Sequence, residues 1–121
     1  SSAAIDSLVL CKFTNMGVAE EYFARVLTAV TGIPYATGEL IQVGERVWNL
    51  ERLYNLREGF THQHDTLPPR LLTEPVASGP SQGWVSHLEP MLKEYYRTRG
   101  WDEHGVPRPN KLVELGLAEF I

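Results

Sequence analysis

Residues 38–58, GELIQVGERVWNLERLYNLRE, carry the longest periodic pattern in the chain. Leu40, Val43 or Gly44, Val47, Leu50, Leu53 or Tyr54, and Arg57 recur at three and four. That spacing puts side chains on one face of an α-helix. Glu39 in the first turn and Arg57 in the last both suit the helix macrodipole. Thr37 is placed to cap the start, and Gly59 to end the helix.

Working outward, residues 17–31 (GVAEEYFARVLTAVT) predict a second helix. Val18, Tyr22, Val26 and Ala29 or Val30 supply its expected inner face, with Thr14 or Asn15 as N-cap. Glu20 and Glu21 read as an exposed acidic helix start. Gly32 and Pro34 stop it. The apolar run at 5–13 is too short for its period to separate helix from strand. On the other side, residues 60–86 form a long connection punctuated by Pro68-Pro69, Pro75 and Gly79-Pro80. Leu71 and Leu72 are expected to pin it to the core, through one helical turn after Pro69. Such a length of irregular chain suggests a segment lying along another part of a larger protein. A helix over 89–98 follows, with Leu88, Met91 or Leu92, Tyr95 and Tyr96 on its apolar face. Gly100 closes it and 102–105 makes a turn. Pro109 opens a last short helix facing Leu112, Val113 and Leu115 inward, ended by Gly116. Nothing alternates with period two. The expected fold is all-α: an irregular bundle of about four helices in one domain, residues 1–121.

Composition agrees with a globular unit. Of 121 residues, 43% are apolar and 21% charged, and the net charge is −4 with no basic run. This excludes the electrostatic footprint of a nucleic-acid binder or a polybasic membrane surface. No apolar stretch approaches the roughly 18 residues that span a bilayer, and no signal peptide is legible. The single cysteine, Cys11, gives no sign of an oxidising compartment and fits the cytoplasm. The first residues, Ser-Ser-Ala-Ala without Met, weakly suggest a truncated chain.

Few residues carry candidate chemistry. A lone cysteine in an apolar run reads either as a buried small hydrophobe or as a metal ligand. One thiolate cannot hold an iron–sulfur cluster, so the second reading requires ligands from another segment. His62, His64 and Asp65 read as a solvated polar loop, and His87 and His104 as ordinary surface residues. Arg57 and Arg70 suit pairing with carboxylates or an interface. Trp48, Trp84 and Trp101 read as core or interdomain packing. No nucleophile–base pair is visible.

Several stretches together resemble one family. Asp6-Ser7-Leu8-Val9-Leu10-Cys11 is similar to the D-x-x-G-L-C motif of the aldehyde ferredoxin oxidoreductases. Asn55-Leu56-Arg57-Glu58-Gly59-Phe60-Thr61 resembles the family's N-x-R-E-G-F-T stretch, followed by residues 65–71, DTLPPRL. Residues 91–102 resemble M-L-x-x-Y-Y-x-x-R-G-W-D, and 111–117 the family's ending. The pieces occur in order over nearly the whole chain. The resemblance implies the C-terminal helical domain of a larger enzyme, with a cofactor motif at residues 6–13. The family holds tungsten, or molybdenum in some relatives, between two pterins beside one [4Fe-4S] cluster. By the match, Cys11 would be the fourth cluster ligand, the other three coming from a C-x-x-C-x-x-x-C segment elsewhere. Asp6 would accept hydrogen bonds from pterin nitrogens, and Leu10 and Lys12 would contact the pterin through backbone groups. Val9 departs from the family's Gly, which leaves two options: an ordinary backbone there, or a slightly displaced pterin.

The implied activity is oxidation of a small aldehyde to the carboxylic acid, with ferredoxin as electron acceptor. The implied partners are the remainder of the same enzyme and ferredoxin; homo-oligomerisation stays open. This chain alone is expected to be inactive. Two rivals remain: a relative acting on an aromatic thioester or carboxylic acid, and a stand-alone helical interaction module without catalysis.

Overall fold

The computed structural model describes residues 2–120. They form six α-helices: α1 (Ser2–Ser7), α2 (Glu20–Thr31), α3 (Thr37–Arg57), α4 (Pro69–Thr73), α5 (Leu88–Arg99) and α6 (Pro109–Glu114). Short 3-10 turns lie at Lys12–Met16, His62–His64 and Ala118–Phe120. Among the described residues there is no strand, only an isolated antiparallel bridge between Trp101 and Pro107. The all-α expectation therefore holds. Beyond the four main helices expected, two are short: α4, the helical turn expected after Pro69, and α1, which takes in only the first residues of the 5–13 run. Among the described residues no helix is long and apolar enough to cross a membrane.

The 21-residue α3 is the spine. Its N-terminal half presents Leu40 to a core of Ala4, Ile5, Phe23 and Ala24, with Leu8, Val18 and Leu27 packed around. Its C-terminal half packs Leu50 and Leu53 against Leu112, Leu115 and Leu117. Fully burying a Leu or Ile contributes about 1.5–3 kcal/mol, so Ile5, Leu40 and Leu115 fasten α1 and α6 to the spine. Arg46 Nε donates to the Leu115 carbonyl (2.7 Å), and Lys111 pairs with Glu45 (2.9 Å). Glycine decides how closely α1 approaches. A Cβ on Gly44 would stand 2.8 Å from the Ala4 backbone nitrogen, so only glycine admits α1 at this distance.

Several local expectations are corrected. On α2 the buried residues are Phe23 and Ala24, whereas Tyr22, Val26, Ala29 and Val30 are exposed. Both sets follow helical spacing, and the pattern alone favoured the wrong one. Ala19 and Ala36, not Thr14, Asn15 or Thr37, occupy the N-cap positions. The Glu39 carboxylate compensates at α3 by accepting from the Ala36 N–H (2.7 Å). Thr14 instead donates its hydroxyl to the Cys11 carbonyl. Leu71 is exposed and Leu72 half-buried, so the long connection is tied by backbone instead. The Ser86 N–H reaches the Leu71 carbonyl (2.9 Å) and the Val76 N–H the Trp84 carbonyl (3.0 Å). Of Met91 or Leu92 it is Leu92 that is half-buried; Leu112 and Leu115 are buried as expected, and only Val113 of that set faces solvent. Of the three tryptophans expected in the core or at an interdomain contact, Trp101 is core, while Trp48 and Trp84 are exposed on this domain.

Candidate cofactor-binding turn

The segment following α1 is anchored on one side and open on the other. Ala4 and Ile5 are buried against α3, while Asp6, Val9, Leu10 and Cys11 are exposed. α1 ends in a tight turn, the Leu8 N–H donating to the Ile5 carbonyl and the Val9 N–H to the Asp6 carbonyl, both 3.0 Å. Val9 then takes a left-handed conformation, φ +58°. This is where glycine usually ends a helix, and a β-branched residue there is strained. Among the described residues Val9 is the only non-glycine with positive φ. The backbone at the departure from the family motif is thus not ordinary: valine adopts the shape glycine would take freely.

Beyond this reversal Cys11 returns to an extended conformation (φ −62°, ψ 122°) and leads into the Lys12–Met16 turn. Its carbonyl accepts from the Thr14 N–H (3.0 Å) and from the Thr14 hydroxyl (2.6 Å). The backbone of Cys11 is fixed while its thiol is exposed. The reading of Cys11 as a buried hydrophobe is therefore overturned. The side chain of Lys12 lies outside the described residues. Among the described residues no group of three or more His, Cys, Asp or Glu is placed to hold a metal ion.

The second polar feature is buried, and most of it escaped the sequence reading. Arg52 on α3 is 8% exposed. Its two terminal nitrogens donate to both oxygens of Asp65 (2.8 and 2.6 Å), and Nε donates to the Gly105 carbonyl (2.8 Å). The guanidinium lies over the Trp101 ring, 5.0 Å from its centroid. Trp101 Nε1 donates to Asn49 (2.8 Å), and the Tyr96 hydroxyl donates to Asp65. Burial alone would raise the Asp65 pKa, but the hydrogen bonds from Arg52 and Tyr96 and the charge of Arg52 outweigh it and hold it down. Tyr96 is pushed up to about 12 by burial and by the Asp65 carboxylate. Asp65 is thus the structural partner of Arg52, not part of a solvated loop. His62 and His64 are exposed as expected, and His64 Nδ1 accepts from the Thr61 N–H (3.0 Å). Arg57 and Arg70 pair with Glu58 and Glu74 at the surface.

Fold and turn together describe an all-α domain that offers an outward thiol but, among its described residues, no complete ligand set. Residues 1–117 match the family model for aldehyde ferredoxin oxidoreductase, domains 2 & 3, and the chain belongs to that family. It is 46% identical over 121 residues to the tungsten-containing aldehyde ferredoxin oxidoreductase of Pyrococcus abyssi, covering 99% of this chain and 20% of that protein. The corresponding protein of Thermococcus kodakarensis is 45% identical over 122 residues, with the same coverage. The aliphatic sulfonate oxidoreductase, WOR-like subunit, of Pyrococcus furiosus is 33% identical over 129 residues. The chain spans about a fifth of the length of these relatives. Among solved structures, the active site complex BamBC of benzoyl coenzyme A reductase, in complex with 1,5 dienoyl-CoA, superposes with a TM-score of 0.70 at 23% identity. That match covers 85% of this chain and 14% of the other, and it bears on the fold alone.

Proposed function

We propose that residues 1–121 form one wall of the cofactor cavity in an oxidoreductase that holds a bis-pterin tungsten or molybdenum centre beside a [4Fe-4S] cluster. The observation that carries this reading is the exposed Cys11 thiol, set on a turn whose opposite side is locked into the core. A free cysteine that packed the core of this domain would be buried within it. The residues present fit such a group. Cys11 supplies one soft thiolate of the kind iron–sulfur clusters take. Asp6, exposed one turn earlier, supplies a carboxylate able to accept two charge-assisted hydrogen bonds from ring N–H groups. Leu10 and Lys12 flank the thiol and offer backbone groups to the pterin. The remaining cluster ligands come from the enzyme outside these residues.

When bound, the metal centre supplies the oxidation of an aldehyde and water to a carboxylic acid, releasing two electrons and two protons, with the cluster passing the electrons to ferredoxin. This chain's part is to hold and space the two groups. The names of the relatives at 44–46% identity favour an aldehyde, and the 33% identical relative with a sulfonate in its name stands further off. A lone thiol suits a reducing cytoplasm.

Two measurements test the reading. Residues 1–121 alone should not oxidise simple aldehydes with a viologen dye, because most of the cavity is missing. In the full-length enzyme Cys11→Ser should lower the iron content, whereas unchanged iron would remove Cys11 from the ligand set.

A further inference from the structure

The apolar face of α2 is wider than the core covers. Phe23 and Ala24 sit in the core at 7% and 2% exposure. The stripe flanking Phe23, one residue before it and at its i+3 and i+7 positions, leaves Tyr22, Val26 and Val30 at 54%, 57% and 80% exposed, continued by Ile33 at 56% just beyond the helix. From Val26 to Ile33 there is no charged residue. The turn preceding α2 leaves Phe13 and Met16 still more open, at 77% and 84%. Exposed apolar patches of this kind mark surfaces that another chain segment covers.

We infer that the outer stripe of α2 is a docking surface for the rest of the enzyme's own polypeptide, and that this docking covers the turn carrying Cys11. The relatives carry about four-fifths of their length outside the stretch matched here, which supplies the occupant. Beside the stripe stands the charge of Arg25, whose guanidinium lies over the Tyr22 ring, 5.9 Å from its centroid; the rest of the stripe offers apolar packing as its means of recognition. The surface leads into the cofactor turn through Lys12–Met16, which begins directly after Cys11. Closing it against another part of the chain would bring foreign ligands to the thiol and exclude water from them. The inference rests on the reading of this chain as part of a longer enzyme.

Hydroxyl-radical footprinting of the full-length enzyme tests it. Tyr22 and Met16 should be labelled about tenfold more slowly than in the urea-unfolded enzyme, as in the dry centre of an interface, at every enzyme concentration. Labelling within about twofold of the unfolded rate would leave the stripe open to water and overturn the inference. Protection that appears only at high concentration would make a second copy the occupant and overturn it equally. Val30→Asp should restore labelling at Tyr22 while the Phe23 and Ala24 amides keep their protection from exchange. If those amides lose protection, α2 has come apart, and the footprint of the unsubstituted enzyme decides. Iron content of the same samples separates the two readings. Full iron with unprotected Tyr22 defeats the docking surface and leaves the cofactor role of Cys11 standing. Protected Tyr22 with iron unaffected by Cys11→Ser supports the docking surface and defeats the cofactor role.

Discussion

The guanidinium of Arg52 grips both carboxylate oxygens of Asp65, at 2.8 and 2.6 Å, across the gap between α3 and the loop that follows it. The pair is largely enclosed, with side-chain exposures of 9% and 24%. Removing one partner strands the other. Asp65→Ala is expected to destabilise the domain by about 3 kcal/mol, the scale for breaking a buried pair. Amides around Arg52 should then exchange roughly a hundredfold faster in the enzyme. Exchange rates within a few-fold of the unsubstituted protein would show that the pair contributes little.

The same cluster sets a pH window. Asp65 has its pKa lowered in the fold, so its contribution is complete above the ordinary carboxylate value of 3.8 and fades as pH falls below that. Tyr96 is raised to about 12 from 10.0, so its contribution is complete below pH 10 and lost as pH rises from 10 to about 12. Thermal unfolding should therefore show losses at both extremes, and Tyr96→Phe should remove the alkaline one. An alkaline loss unchanged by Tyr96→Phe would assign it to other groups.

How far the sequence was legible follows from which residues advertise their surroundings. α3 was readable because Leu40, Leu50 and Leu53 keep helical period and face a core. Arg52 and Asn49 share that buried side, but their residue types ordinarily face water. Asp65, the partner of Arg52, lies beyond the helix end in a His-Gln-His-Asp stretch that looks solvated. The inner residues of α2 were misassigned because its apolar face is wide, and only tertiary packing chooses which part of it is covered. Cys11 and Asp6 stand out only through the motif resemblance, not through periodicity. The left-handed backbone at Val9 was hidden because valine disfavours it; only the family's glycine hinted at such a shape.

Gly44 and Ala4 make a contact with no room for a methyl group. Gly44→Ala would push its Cβ to 2.8 Å from the Ala4 nitrogen and 2.9 Å from the Ala4 Cβ, so α1 must shift. Overpacking of this kind costs about 1–3 kcal/mol. Protease cleavage near α1 should speed up, and the turn carrying Cys11 should lose its fixed position. A variant as protease-resistant as the parent would show that α1 and α3 do not approach so closely.

Val9→Gly should relax the left-handed turn. A non-glycine residue there costs roughly 1–2 kcal/mol, partly offset by the greater freedom of glycine when unfolded. The expected net gain is about 1 kcal/mol, read as a higher melting temperature. A lower melting temperature would indicate that Val9 has a conventional backbone or is held by contacts that glycine loses.

Whether Cys11 is a cluster ligand is decided by the iron content and EPR signature of the full-length Cys11→Ser enzyme. Iron should drop below the roughly four atoms per chain of a [4Fe-4S] cluster. The EPR signal of the reduced cluster should be lost or change to that of an incomplete cluster, while Asp65 and the helical core remain folded. Unchanged iron with an unchanged signal would rule Cys11 out as a ligand and return it to the status of an exposed surface residue.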